Sequence, residues 1–393
     1  MRGGRSGYQK PAATNGTTPL RPCTKRLAAR GGDCEARTML GALPPIGERV
    51  PGVLAESWGV SLVDLTYLPV GMGSWHWLAM TDDGRRLFVT LDSVEESGAG
   101  FGHLGAAYGV PLALAAAGSR DVRAPLPAVG GALLVPLDDV WCVSVWPHLE
   151  GRTLGSGEYH DRADADAVLR VLRRLHDLPT TAAAPPVETF AFDRRPRLLA
   201  VLDPESATWD GGPDGAQAGA LVQRGADQVH RLLAHHDTLV ATAPPVDQWV
   251  LTHGEPHGAN VVFVPDADEH GGERPVLIDW DTALLAPCRR DAWMVLADPA
   301  ASAEAYGDGP LDANILALYR ARWDLDEIGH FGSRLAGVHG DDDLDRYALT
   351  ALARYLDVGQ RWPDLTLSRQ EAKRARSTLE VETRSSRVVS ADR

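Results

Sequence analysis

The chain has 393 residues, 44% of them hydrophobic and 23% charged, the composition of a soluble globular protein. At roughly 150 residues per domain, this length predicts about two domains. No apolar run reaches the ~18–20 residues of a membrane span, and no apolar core follows the N-terminal arginines as a secretory signal requires.

The net charge of −14 is unevenly spread. Residues 1–38 carry eight basic side chains against two acidic ones, so the remainder carries −20. An acidic body argues against a nucleic-acid partner, which needs a basic face, and suits a cationic or neutral small substrate. The four cysteines (Cys23, Cys34, Cys142, Cys288) form no CxxC pair and read as reduced thiols in a cytoplasm. The only lysines are Lys10, Lys25 and Lys373.

In chain order, residues 1–38 lack hydrophobic periodicity and read as a disordered basic tail, or as an over-extended start with Met39 the true initiator. From about 50 to 145 the pattern is that of short strands. Leu62–Val70 alternates and ends in a glycine-rich turn, Val70-Gly71-Met72-Gly73-Ser74. Trp75–Met80 and Leu87–Leu91 flank a hairpin turn at Asp82-Asp83-Gly84. A helix follows at Phe101–Ala117, then strands at Ala132–Pro136 and Trp141–Trp146.

After the linker Pro147-His148-Leu149-Glu150-Gly151 the period becomes helical, with Val168, Leu169, Val171, Leu172 and Leu175 on one face. A glycine-rich loop at 205–215 precedes a helix over Ala216–His236. Strands return at Trp249–Thr252, Val261–Val264 and Val276–Ile278, and the rest to about 380 reads as helical, with breaks near Pro299, Gly309 and Gly340.

Two segments carry the chemistry: Thr252-His253-Gly254-Glu255-Pro256-His257-Gly258-Ala259-Asn260 and Ile278-Asp279-Trp280-Asp281. Each polar cluster adjoins an apolar strand. A carboxylate, an amide five residues on and a second carboxylate about 19 residues later suit Mg-nucleotide chemistry. One carboxylate orients or deprotonates a hydroxyl, and the others offer hard oxygen ligands.

These segments resemble the catalytic loop and metal-binding strand of the aminoglycoside phosphotransferase family. The family pattern is His-Gly-Asp-x-His-x-x-Asn followed by Ile-Asp-Trp or Ile-Asp-Phe; here glutamate stands for the aspartate. The similarity runs from about Tyr67 to Tyr355. It includes the glycine turn, Val145–Gly151 as an interlobe hinge, Leu172–Pro179, Arg290-Asp291 and the stretch Tyr319–Leu325.

The resemblance implies an α+β, bilobal, protein-kinase-like fold: a β-rich N-lobe over 39–145, a mostly helical C-lobe over 146–380, and a disordered tail over 381–393. It implies a kinase moving the γ-phosphate of ATP to an alcohol group of a small molecule. Candidate acceptors are aminoglycosides and other amino-sugar-like or amino-alcohol compounds, which would link the protein to antibiotic resistance. Asn260 and Asp279 would hold Mg²⁺, Glu255 would take the position of the catalytic aspartate, and His253 would brace the loop. Gly71, Gly73 and Ser74 would cover the ATP phosphates, and the hinge at Ser144 and Val145 would hold adenine.

The sequence departs from the family in a second way. Thr90 occupies the third-strand position of the phosphate-gripping lysine, and the Phe101–Ala117 helix contains no glutamate to pair with one. Arg85 or Arg86 could reach the phosphates only if the hairpin folds over them. The alternative reading is therefore a catalytically weak, pseudokinase-like module that binds a nucleotide or another ligand.

Other features have plainer readings. His253-x-Glu255-x-His257 lacks the second cysteine that a zinc deaminase requires, and Gly254 and Pro256 oppose the helix of a zincin. His257 is assigned a structural role, and Asp281 is either a second acidic group of the site or a structural acceptor. The acids at 341–345, and Asp324, Asp326 and Glu327, read as solvated helix N-termini.

Overall fold

Strands β1 (Leu62–Leu68), β2 (Ser74–Thr81) and β3 (Arg86–Ser93) form where apolar residues alternate. With β4 (Leu134–Pro136) and β5 (Trp141–Pro147) they make one antiparallel sheet in the order β1-β2-β3-β5-β4. The structure is a computed structural model and describes residues 43–362 apart from Met72, 95–99, 156–158, His160, Asp193, 267–271, 297–302 and 308–311. The expected tails at 1–38 and 381–393, the continuation over 363–380 and the expected breaks at Pro299 and Gly309 lie outside the described residues.

Alternation divides the sheet. Trp77, Ala79, Leu87, Val89, Leu91, Val143 and Val145 face a core closed by Val50 and Leu54 of helix α1 (Val50–Trp58). The opposite face carries His76, Phe88, Thr90, Asp92 and Ser144. The register sets His76 opposite Thr90 and Thr90 opposite Ser144. Helix α2 (Phe101–Ala116) packs there through Leu104 and Tyr108, in one core with Leu134 and Cys142.

Beyond β5 the helices dominate. Strand β6 (Arg152–Thr153) joins β8 (Val261–Pro265) and β9 (Glu273–Leu277) in a small antiparallel sheet, and β7 (Val250–Thr252) pairs with β10 (Leu284–Ala286). Helix α3 (Arg162–His176) starts where Asp161 accepts the Asp164 N–H at 2.8 Å. Its buried face of Val168, Leu169, Val171, Leu172 and Leu175 shares a core with Leu251, Val261, Leu277 and Trp280, so the two small sheets sit on α3. Helices α4 (Arg195–Leu202) and α5 (Gly215–Val240) form a second core with the later helices α8 (Ala313–Ala336) and α9 (Asp343–Leu356). Helices α6 (Arg289–Leu296) and α7 (Ala303–Tyr306) add Ala292, Val295 and Tyr306 to the first core, and α10 (Val358–Arg361) closes the described chain. Among the described residues no helix is long and apolar enough to cross a membrane.

The architecture is the bilobal α+β arrangement expected. Its β-rich part and its helical part are continuous through Pro147–Gly151.

Candidate active site

The segment His253–Asn260 leaves β7 and re-enters the fold at β8. Its path is fixed by Asp291 in the first turn of α6. That fully buried carboxylate accepts the His253 backbone N–H at 2.9 Å, the Gly254 N–H at 2.6 Å and the His176 Nε2 at 2.8 Å. Burial works against its charge, yet the hydrogen bond and charge of His176 and the nearby Arg290 hold its pKa below the ordinary carboxylate value.

His253 ties this loop to the following strand. Its Nε2 donates to the Ile278 carbonyl at 2.8 Å, its Nδ1 accepts the Glu255 N–H at 3.3 Å, and its ring stands edge-on to Trp280. The accepting Nδ1 must be unprotonated, so the pair of contacts requires a neutral ring. Burial makes it so, lowering the pKa to about 4.

Gly254 lies at φ +106°, a conformation side chains rarely adopt. A Cβ there would collide with the Arg290 guanidinium and approach Thr282 Oγ1 to 2.6 Å. Arg290 is itself pinned by Thr252 Oγ1 at 3.0 Å and the Thr282 carbonyl at 2.7 Å. Pro256 is held by Tyr159, whose hydroxyl donates to its carbonyl.

Four carboxylates gather around this loop. Burial, then the charge of Asp281, pushes Glu255 up to about 7. Asp279 opens to solvent, yet the crowding of protein around its carboxyl, with Asp281, Glu255 and Asp92 adding repulsion in that order, raises its pKa above the ordinary carboxylate value. Asp281 is raised by burial against a pull from Thr282, Arg290 and Arg194. Asp92 is pushed to about 6 by burial, in part offset by its bond from Ser74.

Asp279 stands at φ +63°, an uncommon conformation for a side-chain-bearing residue. Asn260 is buried and donates its Nδ2 to the Glu255 carbonyl at 3.0 Å, which couples the two ends of the loop. Mutually repelling hard oxygens of this kind fit a divalent cation. Among the described residues, no three acidic, imidazole or thiol groups could hold a metal by themselves.

The profile of the phosphotransferase enzyme family matches residues 77–329, from β2 to the middle of α8. The chain belongs to this family. It is 29% identical to Protein StrN of Streptomyces griseus over 316 residues, covering 75% of this chain and 87% of the relative. A spectinomycin phosphotransferase, solved with ADP and spectinomycin, superposes with a TM-score of 0.60 at 17% identity, covering 78% of this chain and 93% of that one. A microcompartment-associated aminopropanol kinase superposes at 0.55 with 15% identity, covering 81% and 98%. These likenesses establish a shared kinase-like fold.

In this phosphotransferase the N-lobe half of the cleft differs from the expected grip. Gly71 and Gly73 take φ of +79° and +85° before β2, and Met72 between them lies outside the described residues. Ser74 donates to Asp92 Oδ1 at 2.7 Å, and Tyr108 of α2 donates to Asp92 Oδ2 at 2.9 Å. A serine–aspartate–tyrosine chain thus links the glycine turn, β3 and α2. Thr90 is buried between His76 and Ser144 in the sheet. Arg85 pairs with Asp83 at 2.7 Å, and Arg86 pairs with Glu150 and lies opposite Met80, at the far end of the hairpin from Ser74. Neither reaches the turn. Ser144 and Val145 are fully buried in β5, and the Val145 carbonyl accepts the Leu126 N–H at 2.7 Å.

The C-lobe wall also corrects the sequence reading. Asp324, Asp326 and Glu327 lie in the middle of α8, not at a helix start. Asp324 is fully buried and accepts from Arg361 Nε and Trp362 Nε1, both at 2.8 Å. Glu327 is pushed to about 8, mainly by burial and then by Glu255, which places it beside the loop. The acids at 341–345 do begin a helix: Asp342 caps α9, and Asp345 turns inward to Arg334 at 2.8 Å.

Sequence alone gives Asp92 and Tyr108 no role, carries His176 and Asp291 only within stretches that resemble the family, and reads Glu327 as a solvated acid. Asp92 had the clearest signal, falling two residues beyond Thr90 and therefore on the same sheet face.

Proposed function

We propose that this family member is an Mg-ATP-dependent kinase that transfers the γ-phosphate to a hydroxyl of a small molecule, with Glu255, Asn260 and Asp279 at the centre. The observation that carries the reading is the convergence of Glu255, Asp279 and Asp281 at strand ends, close enough to raise one another's proton affinity, with Asn260 tied to the Glu255 backbone. Glu255 and Asp281 are half-buried and Asp279 opens to solvent, and carboxylates held this close repel one another until a cation joins them.

In this reading Asn260 and Asp279 hold Mg²⁺, which when bound neutralises charge on the transferred phosphoryl group. Glu255 receives the acceptor's hydroxyl. Its carboxyl, pushed up to about 7 in the free protein, takes the hydroxyl proton as the new O–P bond forms, and the bond to ADP breaks on the opposite side of phosphorus. His253 and Asp291 keep the loop in place and exchange no proton with substrate. The glycine turn at Gly71, Gly73 and Ser74 covers the phosphates, and the base lies beside β5 and the hinge near Ser144 and Val145.

The acceptor class follows from charge. Glu327 and Asp281 stand near Glu255, and an amine on the molecule that presents the hydroxyl would pair with Asp281 and displace the proton that Glu327, with a pKa of about 8, holds in the free protein. The aminopropanol kinase among the structural relatives agrees with an amino-alcohol acceptor, and the spectinomycin phosphotransferase supports a small-molecule one.

Phosphorus NMR of the protein with ATP, Mg²⁺ and a panel of amino alcohols and aminoglycosides tests this reading. A phosphate-ester resonance that appears with an acceptor and is lost in Glu255→Gln supports it. ATP binding without transfer to any acceptor would favour the competing module that binds without catalysis, which Thr90 motivates.

A further inference from the structure

The cleft as described is rich in negative charge and poor in donors. Asp92 stands on the sheet face, with Asp279 and Asp281 close enough to repel it and its partner Tyr108. The described chain contains no lysine. Arg85 and Arg86 are engaged away from the turn, and Arg290 is committed beneath Gly254. A polyphosphate entering this cleft needs N–H donors on the sheet side.

One side chain stands where such a donor is needed. His76 follows the glycine turn on β2 and lies opposite Thr90 in register, on the face that carries Phe88, Thr90 and Asp92. Its ring stacks on Phe88 at 4.9 Å between centroids, with 27° between planes. Its Nε2 lies directly under the turn, 3.2 Å from where a Cβ on Gly71 would sit. Its Nδ1 is buried without a hydrogen-bond partner.

Buried polar atoms are nearly always paired, and stacking on Phe88 accounts for the ring's plane but for neither nitrogen. Ring nitrogens of Trp75, His148, His236 and His257 also lack partners, but Trp75 packs against the core on the opposite face of the sheet. His76 differs from these in lying on the Thr90 face of the sheet with its Nε2 next to Gly71.

We infer that His76 is the sheet-side hydrogen-bond donor to the nucleotide's phosphate groups, filling the role of the cationic side chain that Thr90 does not supply. The inference rests on the kinase reading above. The stack on Phe88 fixes the ring in plane, and the left-handed Gly71 lets the turn descend onto it without a Cβ between. Burial keeps the imidazole neutral, with a pKa of about 4. A neutral ring still carries one N–H, which donates to a phosphate oxygen with no change in charge.

Calorimetric titration of Mg-ATP and, separately, of adenosine tests this on wild type, His76→Phe, His76→Gln and the double variant His76→Phe with Thr90→Lys. Phenylalanine keeps the stack and removes the N–H; glutamine keeps an N–H. A charge-assisted hydrogen bond predicts that His76→Phe binds Mg-ATP about ten- to a hundredfold more weakly while adenosine affinity is unchanged. His76→Gln should retain most of the affinity, and Thr90→Lys should restore it to His76→Phe.

If His76→Phe binds Mg-ATP as wild type does, His76 is not the donor, although the kinase reading stands. Equal loss of Mg-ATP and adenosine would mark His76 as a packing residue and overturn the inference. Wild type that binds no nucleotide overturns both the inference and the reading beneath it.

Discussion

Removing the charge at Glu255 should stabilise the protein while destroying its activity. Glu255 is half-buried near Asp281 and Asp279, and its proton affinity rises from 4.5 to about 7. A carboxyl raised in the folded state holds its proton longer than in the unfolded chain. The stability it allows is complete below about pH 4.5 and is lost as pH rises through about 7. At ~1.4 kcal/mol per tenfold change in proton affinity, the loss is about 3 kcal/mol.

Glu255→Gln removes this dependence. In metal-free urea unfolding, the variant should match wild type near pH 4.5 and exceed it by about 3 kcal/mol at pH 8.5. Mg-ATP should narrow the gap, since a cation relieves repulsion in the wild type and has less to relieve in the variant. A variant less stable than wild type at pH 8.5 would refute the reasoning. It would mean that Arg194 and Arg290, which pull Glu255 the other way, outweigh burial and repulsion.

Three further predictions concern the supports. Gly254→Ala forces a side chain into a left-handed position against Arg290; it should cost about 2 kcal/mol or more, read as a lowered melting temperature, and abolish turnover. Asp291→Asn leaves the two backbone N–H groups of the loop facing an amide in place of a charge; it should cost about 3 kcal/mol in urea unfolding. Tyr108→Phe takes a donor from Asp92 and should cost about 1–3 kcal/mol at pH 8. That cost should shrink below about pH 6, where Asp92 holds a proton.

Much of this was legible because local patterns carry it. Alternation within Ser74–Thr81 and Arg86–Ser93 fixes both strands and the faces they present, and the Asp82–Gly84 turn fixes their register. The spacing from Glu255 to Asn260 and Asp279 places three polar groups at strand ends.

What was missed depends on tertiary placement. Helix α1 opens with Pro51 and Gly52 in an otherwise strand-like stretch, and it exists because Val50 and Leu54 cover the sheet. Strand β10 is three residues long and is defined by pairing with β7. The Asp291–His176 bond joins residues 115 apart, and the Asp92–Tyr108 bond requires α2 to pack on the sheet. Asp324 and Glu327 read as surface acids until α8 turned them inward.

The central claim is a nucleotide site completed by a metal at Asn260 and Asp279. Calorimetric titration of ATP with and without Mg²⁺, on wild type and Asp279→Ala, tests it most directly. The account predicts binding to wild type that strengthens sharply with Mg²⁺ and a loss of that Mg²⁺ dependence in Asp279→Ala. Wild type that binds no ATP at millimolar concentration, or Asp279→Ala that binds Mg-ATP as tightly as wild type, would contradict it.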